Sequence, residues 1–234
     1  MSAVPSDVSV DISWPVEATD RMNRMYRWQR HIYDATRRYY LLGRDRMIAD
    51  LQPAPGASVL EIGCGTGRNL ALAAKRYPNA RFFGVDVSTE MLTSAISAIS
   101  RRGLAPRIRV AHGDATVFDP QALFGIPSFD HIMISYSLSM IPDWNRVLES
   151  AVTRLAPGGR LHIVDFGGQE RLPFPTRQLL LQWLKLFDVT PRDDLEQALT
   201  AMAEACRGNL KFERPFRGYA QYAELTLPAE PNTP

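Results

Sequence analysis

The sequence predicts an α/β fold built on a mostly parallel sheet. An apolar strand over residues 59–62 runs into a glycine-rich loop and then into a helical segment, residues 68–77. Two further apolar strands, residues 81–85 and 108–111, follow it, and all three end in small or acidic residues. Because open α/β sheets bind ligands at the carboxyl ends of their parallel strands, this pattern also predicts a ligand site.

The loop after the first strand carries Gly63, Cys64, Gly65 and Gly67. Glycine has no Cβ and tolerates positive φ, so the chain can turn tightly and bring its N–H groups against a ligand. The next helix points its positive N-terminus at the same place. Taken alone, such a loop is equally compatible with an ordinary strand-to-helix turn.

Acidic residues after the next two strands add to this pattern. Asp86 lies about 20 residues beyond the first glycine, the spacing at which an acid bonds a ribose diol. The third strand leads into Gly113 and Asp114. Together these residues predict a ligand that contains a nucleoside, although Asp86 or Ser88 is also a suitable helix N-cap.

The loop composition discriminates between nucleosides. Arg68 stands where a dinucleotide fingerprint needs its third glycine, and Glu61 would place a carboxylate beside a pyrophosphate. A carboxylate suits an ammonium group, which S-adenosylmethionine carries together with a carboxylate, a ribose and an adenine, but no phosphate. A nicotinamide-dependent dehydrogenase is the alternative, and a cofactor-binding test separates the two.

Residues 58–166 resemble the class I S-adenosylmethionine-dependent methyltransferases at four landmark segments: residues 61–67, 86, 113–115 and 155–161. The resemblance implies an enzyme with a Rossmann-like fold, a mostly parallel seven-stranded sheet with helices on both faces, and an N-terminal helical cap. It implies S-adenosyl-L-methionine as cofactor and S-adenosyl-L-homocysteine as product. The expected organisation is a flexible lead-in over residues 1–19, a cap or lid over residues 20–56 and the methyltransferase domain over residues 57–234.

The resemblance also implies where the cofactor lies. The glycine loop would hold the methionyl part, with Glu61 near the ammonium, Asp86 on the ribose and Asp114 on the adenine amino group. Met91 is alternatively a core residue and Ser135 a helix cap. The predicted cofactor-binding residues are Glu61, Gly63, Cys64, Gly65, Gly67, Asp86, Val87, Met91, Asp114, Ala115, Ser135 and Tyr136.

Composition sets few further limits. The chain has 234 residues, 45% of them hydrophobic, and a net charge of +2, which fits one large domain with an appendage and argues against nucleic acid as a partner. Two cysteines offer neither a disulfide framework nor a metal-ligand spacing, so no metal is expected. Without an apolar run of bilayer length or a leader, we expect a cytoplasmic protein, peripheral at the inner face of the membrane if it binds lipid. The oligomeric state stays open.

Residues 20–42 and 44–51 have helical patterns and form the predicted cap. From Arg21 to Asp50 there are eight arginines, no lysine and three aspartates. A solvated arginine face beside half-buried aromatics is one interpretation; a lid that binds an anionic headgroup or membrane surface is the other. Residues of both kinds recur at helical spacing: Tyr26, Arg30, Tyr33, Arg37, Tyr40 and Arg44.

The cap over residues 26–46, with residues 67–70, resembles the bacterial N-methyltransferases that complete betaine lipids. That family converts the amine of diacylglycerylhomoserine to a trimethylammonium group, so the implied partner is an amino-acid-headed glycerolipid. Arg68 opposes the helix dipole, a conflict that an anionic ligand relieves. Another lipid, a quinone or a small molecule remains open as acceptor, as does a non-catalytic S-adenosylmethionine-binding subunit. The candidate substrate-binding residues are Tyr26, Arg30, Tyr40, Arg44 and Arg68.

Catalysis on a sulfonium mainly requires alignment of a neutral amine and exclusion of water. The candidate proton acceptors are His31, Tyr33, Tyr136 and water. Further strands are predicted over residues 129–134 and 160–166, a helix over residues 193–206, and a strand pair over residues 211–217 and 219–227. The apolar residues 173–187 are interpreted as core or as one wall of an acyl groove.

Overall fold

The computed structural model describes residues 41–187 and 189–229. The predicted lead-in and most of the predicted cap, with Tyr26, Arg30, His31, Tyr33 and Tyr40, lie outside the described residues. The elements in chain order are α1 (Arg44–Asp50), β1 (Ser58–Ile62), α2 (Arg68–Arg76), β2 (Arg81–Asp86), α3 (Thr89–Arg101), β3 (Ile108–His112), α4 (Pro120–Phe124), β4 (Phe129–Ser135), a 3₁₀ turn (Leu138–Met140), α5 (Trp144–Thr153), β5 (Leu155–Phe166), α6 (Phe174–Lys185), α7 (Leu195–Cys206), β6 (Asn209–Glu213), the turn Pro215–Gly218 and β7 (Ala220–Thr226).

The strands form one seven-stranded sheet in the order β3-β2-β1-β4-β5-β7-β6. Strands β1 to β5 are parallel, whereas β7 runs antiparallel between β5 and β6. The chain moves outward from β1 to β3 and then returns to β4, so the order reverses between β1 and β4. Such a reversal leaves a crevice at the carboxyl ends of the strands. The predicted fold class is confirmed.

Both faces of the sheet are covered by helices, which explains why the central strands are apolar throughout. Every residue of β1 is buried; Val59 belongs to one apolar cluster, while Leu60 and Ile62 belong to another. Successive strand side chains point to opposite faces. The first cluster includes residues of α1, α2, α3 and α6, and the second includes residues of α4, α5 and α7.

The helix α1 is fixed to the antiparallel edge of the sheet. Arg46 binds both carboxylate oxygens of Glu213, at 2.7 and 2.9 Å, and its guanidinium lies 4.4 Å from the centre of the Tyr222 ring. The Tyr222 hydroxyl donates to Asp50 at 2.8 Å. Side chains at both ends of α1 therefore hold the described end of the cap against β6 and β7.

Three later segments differ from the sequence prediction. The strand predicted over residues 211–217 stops at Glu213, because Pro215 has no N–H and Phe216 and Arg217 adopt positive φ of 55° and 59°. Strand β5 begins at Leu155 rather than at residue 160. In α6 Leu184 is buried and Leu181 and Trp183 pack against the core, so core packing explains part of its apolar sequence, whereas Phe174 and Leu179 are exposed. None of the helices in the described ranges has the length and hydropathy needed to cross a bilayer.

Two histidines form a buried pair between β4 and β5. The His131 Nδ1 and His162 Nε2 atoms are 3.2 Å apart, and the rings stack with centres 5.5 Å apart. Burial lowers the pKa of His131 from 6.5 to about 4, and that of His162 to about 3, with nearby Arg160 lowering both further. Glu224 Oε2 lies 3.7 Å from His162 Nδ1. The pair is therefore neutral near pH 7 and packs inside the sheet, away from the cavity.

This pair predicts a loss of stability in mild acid. Above about pH 6.5 the imidazoles are neutral in both the folded and the unfolded chain; below it the unfolded chain binds protons that the folded chain does not, down to the folded pKa values. We expect each imidazole to cost about 2 kcal/mol of unfolding free energy between pH 7.5 and pH 5. Urea unfolding should show a shallower pH dependence for His131→Gln/His162→Gln than for the control His112→Gln. Equal slopes would contradict it.

Candidate functional site

A cavity of about 620 Å³ opens at the carboxyl ends of the parallel strands. Its walls come from the loop after β1, the end of β2 and the segments that follow β3 and β4. All of the predicted cofactor-binding residues line this cavity except Gly67, which instead is the N-cap residue of α2. The structure therefore brings this set together around one space at the crevice where the strand order reverses.

The loop after β1 approaches its neighbours too closely for side chains. Gly63 has φ of +70°, and a Cβ there would lie 2.7 Å from the Ser137 Cβ. The Gly63 and Cys64 amides both donate to the Val85 carbonyl of β2, at 2.9 and 3.1 Å. Cys64 is buried against this contact, and burial raises the pKa of its thiol. Gly63, Cys64, Gly65 and Thr66 of this loop line the cavity.

Asp86 joins this loop to β2. One carboxylate oxygen accepts the Gly65 N–H at 2.7 Å and the other accepts the Ser88 N–H at 2.9 Å. The capping residue of α3 is Ser88, whose hydroxyl accepts the Met91 N–H at 3.3 Å. A carboxylate has further lone pairs, so Asp86 can accept two ribose hydroxyls while it holds the loop.

Glu61 places a buried carboxyl group near the end of β1, just before the loop. Only 2% of its surface is exposed, and its Oε1 accepts from the Asn69 Nδ2 at 2.7 Å. Because Glu61 lines the cavity, its carboxyl group is placed where it can accept a hydrogen bond from an ammonium group of a ligand. The sequence analysis gave Asn69 no role; its position in the first turn of α2 was the available signal.

Asp114, after β3, and Met91, in the first turn of α3, form another part of the cavity wall. Asp114 Oδ1 accepts from both the backbone N–H and the hydroxyl of Thr116, each at 2.7 Å. Within the described ranges its Oδ2 has no hydrogen-bond partner, so it can accept from an amino group. Met91 is 3% exposed, which makes it both a core residue and a wall of the cavity. The Val87 carbonyl lies 3.1 Å from His112 Nε2.

The residues after β4 close the cavity toward the cap. The Ser135 hydroxyl is buried and has no hydrogen-bond partner in the part of the chain that is described. Tyr136 donates its hydroxyl to the Leu42 carbonyl at 2.6 Å, and burial raises its pKa well above its usual value. The phenol is therefore neutral and anchors residues 41–43. Its role as a proton acceptor stays a prediction and is limited to its oxygen lone pairs.

Three arginines line the same cavity: Arg44, Arg68 and Arg192. Arg44 is buried and donates from Nε to the Leu41 carbonyl at 3.3 Å. Arg68 Nη1 is buried with no hydrogen-bond partner among the residues described. Arg192 donates to the Leu138 and Ile141 carbonyls, at 3.1 and 2.8 Å, and burial lowers its pKa. No motif marks Arg192, so the sequence analysis missed it.

The described residues were also compared with the side-chain groupings that bind metal ions. Across residues 41–187 and 189–229, no three His, Cys, Asp or Glu side chains are grouped to hold a metal ion.

Comparison with known proteins gives matches that cover the same region. The family model described as "Methyltransferase domain" matches residues 60–161. The nocamycin O-methyltransferase of Saccharothrix syringae is 34% identical over 132 residues, which are 56% of this chain and 45% of that protein. The demethylmenaquinone methyltransferase of Geobacillus stearothermophilus is 30% identical over 141 residues, 60% of this chain and 54% of that protein. The chain thus spans about half the length of these curated relatives.

Among solved structures, a phosphoethanolamine N-methyltransferase 2 of Haemonchus contortus, in complex with phosphomonomethylethanolamine and S-adenosylhomocysteine, has a similar fold. Its TM-score is 0.69 at 17% sequence identity, and the match covers 93% of this chain and 61% of that one. The predicted Rossmann-like fold is confirmed. The predicted enzyme class agrees with the domain match over residues 60–161.

The position of Asp86 predicts the effect of its loss. Asp86→Ala removes the carboxylate that holds Gly65 and faces the cavity, so we expect affinity for S-adenosylmethionine to fall at least about tenfold, or about 1.4 kcal/mol. Titration calorimetry measures it. Asp119→Ala is the control, since Asp119 accepts a backbone N–H at the start of α4 and does not line the cavity. Unchanged affinity in a folded Asp86 variant would refute the assignment.

Proposed function

We propose that this protein is an S-adenosylmethionine-dependent N-methyltransferase that trimethylates the amine of diacylglycerylhomoserine, a step of betaine-lipid biosynthesis. The observation that carries the proposal is the distribution of charge in one cavity. Glu61, Asp86 and Asp114 line it together with Arg44, Arg68 and Arg192. A cationic nucleoside and an acceptor with an anionic group together match this arrangement.

The acidic residues fit S-adenosylmethionine group by group. Glu61 is buried beside the loop and suits the ammonium, Asp86 suits the ribose and the Asp114 Oδ2 suits the adenine amino group. Gly63 and Gly65 line the cavity and have no side chain, which lets a ligand approach the loop backbone. The methyltransferase domain match, and the S-adenosylhomocysteine bound in the Haemonchus contortus structure of similar fold, support the same cofactor.

The arginines support an acceptor that carries a carboxylate. Among the described residues neither Arg68 nor Arg192 has a carboxylate within salt-bridge distance, although both line the cavity. A guanidinium binds a carboxylate through two parallel hydrogen bonds. The homoserine headgroup offers a carboxylate next to the amine. The Haemonchus contortus enzyme was solved with an amine ligand that likewise carries an anionic group, a phosphate.

Mechanistically, bound S-adenosylmethionine would supply an electrophilic methyl group. Its sulfur would keep the electrons of the carbon–sulfur bond that breaks. The chain contributes position and exclusion of water. Tyr136 and Leu41 close the cavity toward the cap, and the buried Ser135 hydroxyl is available to orient the acceptor. Because the Tyr136 phenol keeps its proton, the proton of the substrate ammonium must go to another group or to water.

The acceptor itself is testable with defined lipids. Diacylglycerylhomoserine should gain one, two and three methyl groups, whereas its headgroup carboxamide should lose about 1.5–3 kcal/mol in kcat/KM because a charge-assisted bond is absent. Phosphatidylethanolamine should be a poor acceptor. Mass spectrometry of the products decides between them. Preferential methylation of phosphatidylethanolamine or of a quinone would refute the lipid and leave the methyltransferase class standing.

Arg192 gives a second test. Arg192→Gln should raise KM for the lipid about 10- to 100-fold with a smaller change in kcat and no change in S-adenosylmethionine affinity, and Arg192→Lys should be intermediate. Arg154→Gln is the matched control, because Arg154 also donates to a backbone carbonyl, has a pKa lowered by burial and lies outside the cavity. Equal effects of Arg192→Gln and Arg154→Gln would assign Arg192 to stability alone.

A further inference from the structure

The helix α6 exposes an unusual amount of apolar surface. Among the large hydrophobic side chains of the described residues, the three most exposed are Phe174 at 74%, Leu179 at 70% and Leu186 at 77%, all within α6 or next to its end. Single exposed hydrophobics are normal in proteins, but a group of them on one element marks an interaction site.

The geometry of α6 divides its apolar residues between two sides. Leu184 is buried, and Leu181, Trp183 and Phe187 pack against the core. Leu179 and Leu186 are seven residues apart and therefore share a face two turns long, which points outward. A helix that is apolar on both sides needs a second apolar environment besides the core.

Cations outnumber acids along this face. From residue 171 to residue 187 the sequence has three cations, Arg171, Arg177 and Lys185, and no acid, while Glu170 and Asp188 stand just outside these bounds. Glu170 is paired with Arg214. Arg171 and Lys185 are exposed. The Arg171 N–H donates to the Arg217 carbonyl at 3.3 Å, which brings the exposed turn at Phe216 and Arg217 alongside. We call this set the α6 surface: Phe174, Leu179, Leu186, Phe216, Arg171, Lys185 and Arg217.

The α6 surface is also close to the cavity along the chain. Thr190 and Arg192 line the cavity, and the Thr190 N–H donates to the Ser139 carbonyl at 2.9 Å. Thr190 is the fourth residue after Leu186, which corresponds to at most about 14 Å of extended backbone. A bilayer in contact with Leu186 would therefore lie near the part of the cavity that Thr190 and Arg192 line.

We infer that the α6 surface docks on an anionic lipid bilayer. Apolar side chains flanked by more arginine and lysine than acids are the composition of interfacial helices, which insert apolar groups at the headgroup level while cations meet anionic lipids. The inference does not depend on the proposed acceptor. Vesicle binding is measured without catalysis, so a failed methylation assay and a failed binding assay are distinguishable.

Sedimentation of the full chain with vesicles of phosphatidylglycerol and phosphatidylcholine tests the inference. Leu179→Ser/Leu186→Ser should reduce the partition coefficient at least about tenfold, whereas Ile96→Ser, at an equally apolar site on α3 that is 57% exposed, should not. Arg171→Gln/Lys185→Gln should weaken binding at low salt and have little effect at about 0.5 M salt, where charges are screened. Arg101→Gln/Arg102→Gln, in exposed residues at the end of α3, is the charge control.

Three outcomes would overturn the inference. The intact chain shows no vesicle binding; the leucine variants bind as well as the intact chain, which would assign membrane contact to residues 1–40; or light scattering shows a dimer that the leucine variants dissociate while vesicle binding is unchanged. The last result would make a second copy of the chain the occupant of the α6 surface.

Discussion

The hydrogen bond from the Gly65 amide to the Asp86 carboxylate is the contact on which the cavity depends. It ties the loop after β1 to the end of β2, and the close approach of Gly63 to Ser137 ties the same loop to the segment after β4. Three strand ends therefore converge where the sheet order reverses. The other walls of the cavity are arranged around this point. A side chain at position 63 would clash with Ser137 and push the loop away from the segment after β4.

The sequence was informative wherever function depends on local chemistry. Glycines, a strand-ending acid and a buried strand pattern are local signals, which is why the predicted cofactor set converges apart from Gly67. Arg192 was not predictable, because it reaches the cavity through contacts with Leu138 and Ile141, far away in sequence. The exposure of α6 was also hidden, since an apolar helix is usually core. The strand predicted over residues 211–217 included Pro215, which has no backbone N–H to donate and therefore indicated an earlier end of the strand.

The acidic residues of the cavity and two of its arginines differ in their position relative to the family match. Glu61, Asp86 and Asp114 lie within the matched segment. Arg44 and Arg192 lie outside residues 60–161, on elements that flank that segment. The relatives carry the names of different acceptors, among them nocamycin and demethylmenaquinone. Arg44 and Arg192 are therefore the cavity arginines that we expect to differ between relatives with different acceptors.

The anchoring of the cap by Tyr136 has a consequence for how this protein can change. The hydroxyl of Tyr136 binds the backbone carbonyl of Leu42, not a side chain. Any residue at position 42 presents the same carbonyl, so the attachment survives substitution there. Residue 42 can therefore be replaced without loss of this attachment between residues 41–43 and the segment after β4.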